Sequence, residues 1–330
     1  MEKIAIIGSG TWGSALAQVL SNQGHEVTLF SAVESDYEFI KEHRRNKNLP
    51  NMEFNSSIVL TKDPEEAVKG KVAIILATPS IYIRKTAERI KPYVSKDQII
   101  INVAKGIENS TLFTLGEVIK EVLPDNAFVV LSGPTHAEEV AVGLPSTIVS
   151  ASTNINDAIF VANLFKGSCI RVYLNTDVVG VELCGALKNV IALAAGISQG
   201  LGYGDNIKAG IITRGMNEIS RIGKAMGCFA PTFYGLAGVG DLIVTATSQH
   251  SRNNKCGQLI GKGLSPKQAI EEVGMVVEGI NALEPALKIA KLCNVKVRII
   301  ETLDKIINGN APVKEMFDEL IYDKIKLEID

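Results

Sequence analysis

Lys3-Ile4-Ala5-Ile6-Ile7-Gly8-Ser9-Gly10-Thr11-Trp12-Gly13 stands near the start of the chain, and its reading decides the fold. A short β-branched run ends at Gly8, and helical spacing begins directly afterwards, with Leu16, Val19 and Leu20 on one face. At such a strand-to-helix junction the three glycines have different duties. Gly8 permits a tight turn, Gly10 lets a ligand come close to the backbone, and Gly13 lets helix and strand pack closely. The N–H groups at the helix N-terminus then face outward as an anion site. In this context G-x-G-x-x-G predicts that Gly8, Ser9, Gly10, Thr11, Trp12 and Gly13 hold the pyrophosphate of a dinucleotide. Trp12, the only tryptophan, either wedges against the core or covers the cofactor.

Outward from this loop, strand-like and helix-like segments alternate. Residues 26–30 read as the second strand, and apolar runs at 58–60, 72–77, 99–103 and 128–131 are short and almost wholly hydrophobic, as buried parallel strands are. Helical stretches fall at 12–22, 34–45, 64–69, 80–91 and 111–122, and two further strands at 147–150 and 170–174. The pattern predicts an α/β fold: an N-terminal Rossmann-type, mostly parallel sheet over residues 1–178, binding the dinucleotide. Beyond Asn175 strand alternation stops. Helical periodicity at 181–197, 207–225, 267–273, 283–292 and 298–307 predicts an all-helical substrate-binding and catalytic domain over 179–330. The second strand runs into Phe30-Ser31-Ala32-Val33, with neither the acid that binds a ribose 2′-hydroxyl nor the arginine that suits a 2′-phosphate. Glu34 and Asp36 come slightly late, at a helix start where carboxylates are favourable anyway. The cofactor is therefore NAD(H) or NADP(H), with the preference open.

Bulk properties narrow the partners. With 34 basic and 36 acidic residues, the net charge of −2 provides no global field for nucleic acid or anionic lipid, so anion binding is local. Cys169, Cys184, Cys228, Cys256 and Cys293 are scattered and odd in number, and the histidines show no ligand spacing. That predicts no disulfide framework and no metal site, in a reducing, cytoplasmic setting. Met1-Glu2-Lys3 leads straight into a strand, without the apolar run of a signal peptide. Residues 183–204 carry a single charge, Lys188, but Asn189 and five glycines favour a buried core helix over membrane insertion.

Four later segments carry chemistry. Asn102-Val103-Ala104-Lys105-Gly106-Ile107 and Ser132-Gly133-Pro134-Thr135-His136-Ala137 each follow a strand end, where ligands of open α/β sheets bind. Alone, Lys105 reads as a solvated loop charge and the second segment equally as an ordinary turn. Lys188 lies on an otherwise apolar helix between Glu182 and Asp205, and desolvation suits such a lysine to proton transfer; a snorkelling structural lysine is the alternative. Asn189 beside it is placed to orient a substrate hydroxyl. Gly238-Val239-Gly240-Asp241-Leu242 leads to Thr245 and to Ser251-Arg252-Asn253, where arginine at a helix start offers planar recognition of phosphate, or is merely exposed on a capped helix.

Together these segments resemble the bacterial-type NAD(P)-dependent glycerol-3-phosphate dehydrogenase family. The resemblance spans almost the whole chain, through A-T-P-S (77–80), A-K-G-I (104–107), S-G-P-T-H-A-E-E-V (132–140), V-E-L-C-G-A-L-K-N-V-I-A-L-A-A-G (181–196), G-L-A-G-V-G-D-L (235–242), S-R-N (251–253) and V-V-E-G (276–279). It implies a helical domain like the C-terminal domain of 6-phosphogluconate dehydrogenase. It also implies reversible reduction of dihydroxyacetone phosphate to sn-glycerol 3-phosphate, the precursor of glycerophospholipids. Lys188 would be the proton donor and acceptor, and Lys105 would hold and polarise the substrate. Asp241 and Thr245 would line the pocket, while Gly133, Thr135, Ser251, Arg252 and Asn253 would contact substrate. Ser9, Trp12, Ala137, Val276 and Glu278 would contact the dinucleotide, with Lys105 and Arg252 also near it. The family often has arginine just after the second strand, and Ser31-Ala32 departs from that. A homodimer is a family-level expectation. The rival readings are a sister dehydrogenase (3-hydroxyacyl or sugar-acid), a non-catalytic NAD(H) sensor and a structural scaffold.

Overall fold

Eight strands form one sheet: β1 (Lys3–Ile7), β2 (Glu26–Phe30), β3 (Val59–Thr61), β4 (Ala73–Leu76), β5 (Ile99–Asn102), β6 (Phe128–Ser132), β7 (Ser146–Ala151) and β8 (Ile170–Asn175). The structure is a computed structural model and describes residues 1–309 and 311–322. The strand order is β3-β2-β1-β4-β5-β6-β7-β8. Every neighbouring pair is parallel except β6 and β7, which run antiparallel from Val130↔Ala151 to Ser132↔Val149. The mostly parallel sheet expected from the apolar runs is therefore present, with a reversed pair, β7 and β8, at one edge. The first six strands follow the doubly wound order with its switch point between β1 and β4.

The alternation of side chains across the sheet builds two cores. Ile4, Ile6, Ala73, Ile75 and Ile101 face one side and pack with Leu16, Leu20 and Phe165. Ala5, Ile7, Ile74, Leu76 and Ile100 face the other and pack with Ile83, Ala87, Leu115 and Ile119. Burial on both faces is why these strands carry no polar alternation. The expected 111–122 helix begins only at Leu115, because Thr114 and Glu117 form a reciprocal capping box that fixes the start there. The expected 34–45 helix stops at His43, where Arg44 turns to a left-handed φ of 50°.

The chain divides into two compact units, one of Met1–Gly185 with Pro231–Asp241, the other of Ala186–Ala230 with the residues from Leu242 onward. This differs from a boundary at 178/179. Two buried acids explain the difference. Glu182 accepts a hydrogen bond from the Gly116 N–H at 2.7 Å, and Asp177 accepts one from the Thr232 hydroxyl at 2.7 Å. They bind the start of the helix Val178–Gly200 and the segment 231–241 into the sheet unit.

The second unit is helical among its described residues, with helices Asp205–Ala225, Arg252–Gly261, Pro266–Val273, Glu278–Asn281, Leu283–Leu292, Arg298–Ile307 and Val313–Tyr322 beside the remainder of Val178–Gly200. The most apolar stretch of Val178–Gly200 is long and hydrophobic enough to cross a membrane, with a mean hydropathy of 1.7, yet 89% of it is buried within the protein. It behaves as a core helix.

Candidate active site

The glycine loop has the geometry that its spacing predicts. Gly8 has φ +126°, and a Cβ there would stand 2.7 Å from the Ala77 carbonyl oxygen. At Gly13 a Cβ would lie 2.0 Å from the Gly8 carbonyl oxygen, so helix and strand touch backbone to backbone. Gly10 is different: an added Cβ meets nothing within 4 Å. Gly10 is also the N-cap of Thr11–Asn22, and no side chain caps that helix. Open space above an uncapped helix N-terminus is a cradle that suits a pyrophosphate. Ser9 is fixed beneath it by Ser14 Oγ donating to its carbonyl at 3.0 Å and Asn46 Nδ2 donating at 2.7 Å. Its hydroxyl bonds Ser31 Oγ at 2.7 Å, which ties the loop to the end of β2. Trp12 is half-buried and packs against the core cluster. Ser31 is fully buried, and the nearby acids are ion-paired, Glu34 to Lys62 and Asp36 to Lys47, each at 2.7 Å.

A second group gathers in the same unit. Lys105 Nζ donates to Asp241 Oδ2 at 2.5 Å and to the Gly133 carbonyl at 3.0 Å. The loop lysine is thus a paired charge, its side chain 20% exposed against 2% for Asp241. Asn102 braces its loop by accepting from the Ala104 N–H and donating to the Ala104 carbonyl. Gly185 leaves room for the lysine stem, since a Cβ there would stand 3.3 Å from Lys105 Cγ. At Gly133, φ +156° and the Ile148 backbone 3.1 Å from a hypothetical Cβ together require glycine. The Thr135 hydroxyl donates to the Gly133 carbonyl, and Ala137 opens the short helix that follows.

A third group belongs to the helical unit. Lys188 is buried, 5% exposed, and Nζ donates to Thr245 Oγ1 at 2.5 Å. Asn189 Oδ1 accepts from Asn253 Nδ2 at 2.9 Å, and Asn253 Oδ1 accepts from the Gly279 N–H at 2.8 Å. Ser251 caps Arg252–Gly261 by accepting from the Asn254 N–H, which leaves Arg252 exposed at the first helical position. Val276 and Glu278 are half-buried, and Glu278 begins the helix that carries Gly279. The sequence-predicted residues thus fall into three groups, each held inside a single unit.

One buried acid was not singled out as functional by the sequence reading. Burial pushes the Glu182 carboxyl up to about 7, against the opposing pull of Thr114, the Gly116 N–H and Asn102. Its only sequence signal is a charge one turn and a half before Lys188 on an apolar helix.

A doubly wound sheet, an open glycine-lined helix N-terminus at its first turn and a helical unit with a buried lysine together suit a dinucleotide-dependent dehydrogenase. Comparison with known proteins narrows the class. Models of the NAD-dependent glycerol-3-phosphate dehydrogenase N-terminus and C-terminus match residues 3–158 and 177–318. The chain belongs to the NAD-dependent glycerol-3-phosphate dehydrogenase family. It is 50% identical to glycerol-3-phosphate dehydrogenase 2, an NAD(P)+ enzyme of Lactobacillus delbrueckii subsp. bulgaricus, over 100% of this chain and 99% of that one. It is 46% identical to the Agathobacter rectalis NAD(P)+ enzyme over 99% and 98% of the two chains. The crystal structure of glycerol-3-phosphate dehydrogenase from Coxiella burnetii superposes with a TM-score of 0.94 at 33% identity, covering 97% of this chain and 98% of that one. A 3-hydroxyacyl or sugar-acid dehydrogenase, or a non-catalytic sensor, is not favoured by these full-length similarities.

Proposed function

We propose that this protein catalyses the reversible reduction of dihydroxyacetone phosphate by NADH or NADPH to sn-glycerol 3-phosphate, the backbone of glycerophospholipids. The observation that carries the reading is Lys188, a buried lysine whose Nζ donates to Thr245, in the unit that also carries Arg252 and Asn253 at a helix N-terminus. The sheet unit binds the dinucleotide through residues 8–13, and the helical unit binds and protonates the substrate. When bound, the reduced nicotinamide supplies a hydride to the ketone carbon, and one proton completes the balance. Lys188 gives that proton to the ketone oxygen, and in the reverse direction takes it from the alcohol. Lys105, fixed by Asp241 and Gly133, is the residue that holds and polarises the substrate. Asn189 orients a substrate hydroxyl, with Gly133, Thr135 and Ser251 as further contacts. Arg252 and Asn253 anchor the phosphate, which is remote from the reacting carbon, and its binding energy positions the ketone. Ala137, Val276 and Glu278 complete the dinucleotide contacts. Five free cysteines suit a reducing compartment, and we place the enzyme in the cytoplasm as a homodimer, following the family expectation. Lys188→Ala tests the reading. It is expected to lower kcat by about 100- to 10,000-fold while the NADH dissociation constant stays within about twofold. Retention of kcat removes Lys188 from the proton-transfer role.

A further inference from the structure

Two helices of the helical unit approach more closely than side chains allow. Gly196 and Gly200 lie on Val178–Gly200, and Gly257 and Gly261 on Arg252–Gly261. A Cβ on Gly196 would stand 2.2 Å from the Asn254 carbonyl oxygen, and one on Gly257 2.2 Å from that of Leu193. The equivalent distances are 2.3 Å from Gly200 to Gln258 and 2.3 Å from Gly261 to Ile197. Partner numbers rise together along both helices, so the two run parallel with glycine against backbone on each side. Sliding either helix by one residue would drive a side chain into the opposing backbone, and this locks the register. Asn254 Nδ2 reinforces it by donating to Gln199 Oε1 at 2.7 Å and to the Ala246 carbonyl at 2.8 Å.

The locked register reaches the substrate residues. Just N-terminal to the glycine contacts it sets Asn253 against Asn189 at 2.9 Å. Gly279 closes in from a third helix, where a Cβ would stand 2.5 Å from the Asn189 carbonyl oxygen. Lys188 and the Ser251-Arg252-Asn253 turn therefore share one rigid frame. We propose that Gly196, Gly200, Gly257 and Gly261 are positioning residues that set the separation between the proton donor Lys188 and the phosphate anchor. They thereby select a ketone joined to its phosphate through a single CH2–O link. This inference rests on the roles given above to Lys188 and Arg252.

Gly257→Ala in the full-length protein is the test, with Gly210→Ala as control, because a Cβ at Gly210 meets nothing within 4 Å. Inorganic phosphate used as an inhibitor reads the anchor alone, and NADH binding reads the glycine loop alone. Only turnover of dihydroxyacetone phosphate reads the distance between anchor and proton donor. A displacement of about 1 Å is expected to lower kcat/KM for dihydroxyacetone phosphate about 100-fold, while phosphate inhibition and NADH affinity stay within about twofold of the parent. An unchanged kcat/KM overturns the proposal, and so does a parallel loss of all three properties. A second measurement needs no variant: the homologue of the substrate with one extra methylene between ketone and phosphate. It is expected to inhibit competitively yet turn over with a kcat at least about 100-fold lower, and comparable turnover overturns the proposal if Gly257→Ala does not fold. Failure of the parent to turn over dihydroxyacetone phosphate would instead remove the functional reading on which the inference rests.

Discussion

At the scale of single residues, the account turns on charges that the fold holds in place before any substrate arrives. Lys105 is ion-paired with Asp241 and aimed by it, and Lys188 donates to the hydroxyl of Thr245. The exposed Arg252 is the opposite case, an unburied cation at a helix start, and that is what a phosphate arriving from solvent needs. Arg252→Ala is expected to raise KM for the phosphorylated substrate by about 10- to 100-fold, an ion pair with phosphate being its main loss. Arg252→Lys should recover only part of it, because ammonium cannot replace a planar bidentate fork. Steady-state kinetics on the two variants checks this, and an unchanged KM for Arg252→Ala removes it from the anchor.

The same scale holds a pH dependence. Glu218 is buried on Asp205–Ala225 and accepts from the N–H groups of Ile299 and Ile300 at 2.9 and 3.3 Å, capping Arg298–Ile307, whose own N-cap residue Val297 has no cap to offer. Burial pushes its carboxyl up from 4.5 to about 7, although the two N–H groups and Arg221 favour the charge and Glu301 opposes it. The folded state thus holds the proton more tightly than the unfolded state. The corresponding stability is fully present below the unfolded value of 4.5 and is lost as pH rises through about 7. At about 1.4 kcal/mol per pH unit the loss is about 3 kcal/mol. Thermal denaturation should show a Tm falling between pH 5 and 8, less steeply in Glu218→Gln. Identical slopes in parent and variant would contradict this assignment.

At the scale of elements, the β1-to-helix turn separates two kinds of glycine. Gly13 is structural, with the Gly8 carbonyl 2.0 Å from its hypothetical Cβ, whereas Gly10 is open and has an ordinary φ of −63°. Gly13→Ala should therefore destabilise the protein by about 2 kcal/mol or more through forced overlap. Gly10→Ala should change stability by less than about 1 kcal/mol yet weaken NADH binding at least tenfold, about 1.4 kcal/mol. Melting curves and an NADH titration on both variants make the comparison. Equal NADH affinity in Gly10→Ala and parent would mean that no ligand approaches there.

Much of this element-level picture was legible from residues alone. Parallel strands buried on both faces write themselves as uninterrupted apolar runs, and Gly8, Gly10 and Gly13 mark their junction. Direction is not written in composition, so the reversal of β7 and β8 could not be read from Ser146–Ala151 or Ile170–Asn175. Helix ends shifted where local caps decided them, at the Thr114–Glu117 box and at the left-handed Arg44, and the unit boundary shifted where a partner far along the chain decided it. Glu182 meets Gly116 across 66 positions, and that contact moves the division between units to 185/186. The four-residue glycine spacing at 196–200 and 257–261 was visible, but only the structure shows that the two stretches face one another.

For the whole molecule, three groups of residues widely separated in sequence belong to two units, each of which organises its share independently. The sheet unit supplies the cradle at Gly10 and the Lys105–Asp241 pair; the helical unit supplies Lys188, Asn189 and the Arg252 turn. The end of β2 leaves the choice of nucleotide open, since Ser31 is turned inward onto Ser9 and Glu34 and Asp36 are already paired. The measurement that tests the account most directly is a paired assay of NADH and NADPH oxidation with dihydroxyacetone phosphate as the sole ketone. The account predicts substrate-dependent oxidation of at least one nucleotide, with sn-glycerol 3-phosphate formed in equal amount. Absence of turnover with both nucleotides, in protein that is folded and binds NADH, would contradict it.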